Sequence, residues 1–95
     1  MSERMVITST SVPRLPAHIK LRFDAARQRW TLLAPERVLV PDDIAVEILQ
    51  RCDGVATVGT IAQTLAQKYG AAVDEVEGDI IALLQELADK GTVAA

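Results

Sequence analysis

The sequence predicts an α+β domain in which an N-terminal three-stranded antiparallel sheet is followed by three helices, a winged-helix-like outline with the sheet placed first. Three observations carry that reading. Residues 19–40 alternate apolar and polar side chains in short runs broken by Pro35 and bounded by Pro41, the period of half-buried strands. Residues 42–91 repeat apolar side chains at three- and four-residue spacing in three runs, each opened by a capping residue and closed near a glycine, the period of amphipathic helices. With 95 residues and an apolar fraction of 49%, the chain can fill one modest core, so both patterns belong to one domain.

Residues 1–14 read as a flexible N-terminal arm, rich in Ser and Thr and turning extended near Pro13; residues 15–95 are the domain. In the first strand, 19–24, Ile19, Leu21 and Phe23 share one face and Lys20, Arg22 and Asp24 the other. Ala25 to Gln28 form the turn. In the return strand, 29–33, Trp30 and Leu32 are the inward pair, which makes Trp30 a structural residue, with Thr31 outside and Leu33 left for the opposite face. Pro35 stops that strand because it brings no N–H to a ladder. Residues 37–40 make a short third strand ended by Pro41. In a meander taken in chain order this strand is an edge, with a row of backbone groups unpaired within the sheet.

Asp42 or Asp43 caps the first helix, whose stripe is Ile44, Ala45, Ile48, Leu49 and Cys52, and Asp53-Gly54 stops it. Thr57 caps the second, with Ile61, Leu65 and Tyr69 spaced by four before Gly70. Asp74 with Glu77 forms a capping-box pattern for the third, whose stripe is Val76, Ile80, Leu83, Leu84 and Leu87, and Lys90-Gly91 is its stop. Gly78 interrupts this last helix and costs about 1 kcal/mol relative to Ala if exposed.

The formal charge of −3 is unevenly distributed: residues 1–37 carry seven basic and three acidic groups, residues 38–95 three basic and ten acidic. A recognition helix presents Arg, Lys, Asn or Gln to bases, whereas residues 74–90 present six acids and one lysine. Double-stranded DNA is therefore a poor partner. Cys52 is the single cysteine and His18 the single histidine, too few for a structural zinc site or an intrachain disulfide. His18 reads as a surface residue, Cys52 as a buried small hydrophobe and Asp53-Gly54 as a structural turn. No nucleophile with its base, metal set or phosphate loop is present, so neither an enzyme nor a cofactor is expected. No apolar run approaches the roughly 20 residues that cross a bilayer, and no secretory signal opens the chain; the expected compartment is the cytoplasm. A sheet edge beside an apolar helix face can instead take an extended peptide as an added strand.

The order of residues narrows this reading. Leu15-Pro16, Leu21-Arg-Phe-Asp24, Trp30-Thr-Leu-Leu-Ala-Pro-Glu-Arg-Val38, Ile48-Leu49, Cys52-Asp-Gly54, Thr57-Val58 and Ile61 together resemble the PqqD family of pyrroloquinoline quinone biosynthesis, over residues 13–93. The resemblance implies a non-catalytic peptide chaperone, a recognition domain for ribosomally made, modified peptides. Such a protein binds the precursor peptide PqqA and presents it to PqqE, a radical S-adenosylmethionine enzyme that links a glutamate to a tyrosine. It also implies that the peptide lies along Arg37, Val38, Leu39 and Val40, beside a groove bounded by Ile80, Leu83, Leu84 and Leu87. The alternatives are a recognition domain for another modified peptide and a winged-helix nucleic-acid-binding protein. Similar sequences often carry acids where this chain has Gly59 and Thr60, so the start of the second helix is expected to be less well capped.

Overall fold

The computed structural model describes residues 5–95. Three strands, β1 (Lys20–Asp24), β2 (Arg29–Ala34) and β3 (Arg37–Leu39), precede three helices, α1 (Asp43–Gln50), α2 (Val58–Tyr69) and α3 (Val73–Asp89). The sheet is an antiparallel meander in the order β1-β2-β3. Its register pairs Leu21 with Leu32 and Phe23 with Trp30, then Leu32 with Leu39 and Ala34 with Arg37. One face therefore carries Leu21, Leu32, Ala34 and Leu39 onto the helices. Leu32, Ile48, Leu49, Ile61, Ile80 and Leu84 form the centre of the core they close.

The inward face does not extend to the end of the hairpin. Phe23 is 48% exposed and Trp30 only half-buried, and neither joins the core cluster, contrary to the inward placement expected of both. The two rings pack edge to face across the strands, with centroids 5.6 Å apart, because the hairpin runs past the helical layer. Thr31, expected outside, is buried, and its hydroxyl donates to the carbonyl of Arg22, its cross-strand partner. β3 ends one residue before the expected Val40.

Two helix starts are as the sequence implies. The Asp42 carboxylate accepts from the Ala45 N–H at 2.8 Å, and the Thr57 hydroxyl accepts from the Thr60 N–H at 3.1 Å. The third is not: α3 opens at Ala72 with no side-chain cap, and Asp74 lies already inside its first turn. There it complements the helix dipole rather than an unpaired N–H. In α1, Val46 is buried and Ile44 is 54% exposed, reversing their expected places on the stripe. Tyr69 is likewise exposed.

Residues 5–14, expected as a flexible arm, lie against the helices; residues 1–4 fall outside the described part. Ile7 is buried, and the Gln85 side chain of α3 accepts from its N–H while donating to the Met5 carbonyl. The carbonyls of Ser11 and Ser9 accept from the N–H groups of Val58 and Gly59. These are unpaired donors in the first turn of a helix, so the arm supplies the capping that the Gly59-Thr60 sequence was expected to lack. An added Cβ on Gly59 would sit 3.4 Å from the Ser9 carbonyl oxygen.

Candidate functional site

Both outer strands of a meander have an unpaired edge, and their sequences treat it differently. β1 carries Lys20, Arg22 and Asp24 within five residues, charges of the kind that discourage another chain from pairing. β3 has the uncharged Val38 at its centre, 60% exposed. Pro35 and Glu36 alone separate the paired residues Ala34 and Arg37, and a bridge that close to its turn is a mutually hydrogen-bonded pair. Ladder directions alternate along a strand. Arg37 and Leu39 thus spend their backbone groups on β2, and Val38 points its N–H and C=O away from the sheet.

Beside this edge lies a groove of about 220 Å³ between the 39–42 segment, α1 and α3. Leu39, Val40 and Pro41 form one wall, and Leu83, Leu87 and Lys90 the other. α3 reaches it because positions 83, 86, 87 and 90 share a helical face. Ile80 and Leu84, expected on the same wall, are 1% and 0% exposed and belong to the core. Leu84 is displaced round the helix axis from that face, and Ile80 lies on the same stripe a turn before the groove. Sequence reasoning missed Leu32 at the floor, Ala45 and Leu49 of α1, and Pro41, Asp42, Glu86 and Lys90; the spacing of Glu86 and Lys90 from Leu83 was the available signal for those two. The groove is charged differently at its ends. Lys90 extends into a second hollow that it shares with Arg37, whereas Asp42 lines the far end. Lys90 Nζ donates to Glu86 at 3.1 Å on the rim.

Cys52, Asp53 and Gly54, expected as structural residues, lie together at the end of α1. The Cys52 thiol donates to the Ile48 carbonyl at 3.3 Å, and burial, with the charge of Asp53 adding to it, pushes its pKa up to about 12. That is an inert thiol at neutral pH. The Asp53 carboxylate accepts from the N–H groups of Ala56 and Val55, which hold its pKa below the usual carboxylate value. Gly54 takes φ +79° and donates its N–H to the Pro13 carbonyl. The trio ties the α1–α2 loop to the arm. Pro35 sits in the β2–β3 turn. Among the described residues no group of three or more His, Cys, Asp or Glu side chains is placed to hold a metal ion, and no helix is long and apolar enough to cross a membrane.

Comparison with known proteins shows the family. The family model described as coenzyme PQQ synthesis protein D matches residues 29–93, which span β2, β3 and all three helices. The chain belongs to the PqqD family. A PqqA binding protein of Rhodopseudomonas palustris strain HaA2 is 60% identical over 90 residues, covering 95% of this chain and 88% of that protein. Another from Bradyrhizobium diazoefficiens is 52% identical over 85 residues, covering 90% and 82%. The PqqD part of Methylobacterium extorquens PqqCD, a stand-alone recognition element for ribosomally synthesised and modified peptides, superposes with a TM-score of 0.83 at 43% identity. That match covers 95% of this chain and 96% of the other. PqqD of Xanthomonas campestris gives 0.56 at 46% identity, covering 90% and 94%. The sheet-then-helices order is thus the fold of the PqqD family.

Proposed function

We propose that this chain binds the PqqA precursor peptide as a strand added to the outer edge of β3 and presents it to the radical S-adenosylmethionine enzyme PqqE in the cytoplasm, performing no chemistry itself. The observation that carries the proposal is the free β3 edge, with the uncharged Val38 at its centre, lying directly beside the Leu83–Leu87 groove. An incoming strand pairs with Val38, and its alternate side chains enter the groove. The PqqA binding relatives and the peptide-recognition neighbour support the same partner. Delivery to PqqE rests on the family resemblance. The exposed acids Asp74, Glu75 and Asp79 of α3 weigh against the nucleic-acid alternative.

The test is titration of labelled PqqA peptide into Val38→Pro, Leu39→Pro and Leu83→Ser, with amide NMR spectra reporting the fold. Val38→Pro removes an N–H that the sheet does not use and should keep the fold while weakening peptide about tenfold or more. Leu39→Pro breaks the ladder to Leu32 and should lose the fold itself. Leu83→Ser should weaken peptide without moving the strand signals. A folded Val38→Pro with wild-type affinity would remove edge addition from the account.

A further inference from the structure

A second concave apolar surface lies on the opposite flank of α1 from the peptide groove. Its hollow, of about 230 Å³, is walled by Ile44, Ile48, Leu65, Tyr69, Val76 and Ile80, from all three helices. It leaves apolar side chains in water: Ile44 and Tyr69 in its lining are each 54% exposed, and Val73, one turn before Val76 on α3, is 38% exposed. Apolar exposure gathered round a hollow of this kind marks a contact surface, whereas scattered exposure does not. The frame is acidic. Asp79 lines the hollow, Glu75 lies one turn before it on α3, and Asp43 adjoins Ile44, all exposed. The nearby cations are already engaged: Lys68 pairs with Glu47, and Arg51 lies 3.9 Å from the same carboxylate. Asp43, Glu75 and Asp79 make no ion pair among the described residues.

We infer that this surface holds the enzyme that acts on the peptide, through an apolar side chain seated in the hollow and surrounded by Arg and Lys of the enzyme. The inference rests on the delivery reading above. Charge complementarity selects a basic partner, and a seated apolar anchor supplies the affinity. Position supplies the purpose. Only α1 separates the two hollows, Ala45 and Leu49 facing the peptide groove and Ile44 and Ile48 facing this one, and a helix with its side chains is about 10 Å across. An enzyme docked here stands beside the end of the groove at Pro41 and Asp42 without covering the β3 edge, so peptide and enzyme bind together.

The experiment measures two affinities, for PqqA peptide and for PqqE, in the wild-type chain and in Ile44→Arg, Val73→Arg and Val38→Pro. Ile44 and Val73 are exposed on helix surfaces, so arginine there leaves the core intact. Both arginine variants should weaken PqqE about tenfold or more and leave peptide affinity within about twofold. Val38→Pro should do the reverse, and raising ionic strength should weaken PqqE binding to the wild type. On the unmutated chain, amide signals of Ile44, Tyr69, Val73 and Val76 should broaden on adding PqqE. Wild-type affinity for PqqE in both arginine variants overturns the inference, as does broadening confined to the sheet. If PqqE binding is lost in the arginine variants while peptide fails to bind even the wild type, the docking surface stands and the peptide reading falls.

Discussion

Trp30 shows how far a residue's cost depends on what covers it. Its ring packs on Phe23 at a hairpin end that the helices do not reach, so Trp30→Ala should cost about 1–2 kcal/mol. Leu84, with 0% exposure, should cost about 3–5 kcal/mol as alanine. Denaturant melts of the two variants check the contrast, and equal midpoints would contradict it. The alternation of 19–24 and 29–33 names the face of each side chain, but how far the opposing layer extends is a tertiary fact that period-two reasoning does not contain. Gly78 is the reverse case. Open space surrounds the position where its Cβ would be, so Gly78→Ala should raise stability by about 0.5–1 kcal/mol in the same melts. Its helical cost was visible in sequence, and the structure adds that no close packing offsets it.

Helix boundaries were legible where a side chain does the capping. Asp42 and Thr57 each precede an apolar stripe and each accepts an N–H three residues on. Asp74 has the same appearance in sequence, yet α3 begins before it, because an acid in the first turn and an acid at the cap give similar patterns. The arm escaped notice for a related reason. Its Ser- and Thr-rich residues have no periodicity, and the groups they serve belong to α2, distant in sequence. Removing residues 1–12 takes away buried Ile7 and the two carbonyls that close the start of α2. The shortened chain should lose about 2–4 kcal/mol, read by denaturant melts, with the first turn of α2 exchanging its amide hydrogens fastest. An unchanged midpoint would mean that the arm contributes nothing.

At the scale of the molecule, the division between basic and acidic parts is in large measure a division between layers, since the basic residues from Lys20 to Arg37 lie on the sheet and its turns and residues 43–89 build the helices. That layering was legible, as were the order of elements and the β3 edge. The rotation of α3 was not. Its stripe of Ile80, Leu83, Leu84 and Leu87 serves both core and groove, and only the packing of α1 and the sheet assigns Ile80 and Leu84 to one and Leu83 to the other. The outward orientation of Val38 has a last consequence. Within β3 it is the residue that offers both an N–H and a C=O to an incoming strand, and such a donor–acceptor pair accommodates a chain running either way. Backbone pairing at so short an edge is nearly indifferent to the direction of the peptide and to its sequence. For a peptide bound as proposed, discrimination therefore falls to the side chains beside the edge, Arg37 past one end of the groove and Asp42 at the other, with Lys90 paired to Glu86 between α3 and the solvent: the strand edge supplies grip, and the side chains read polarity.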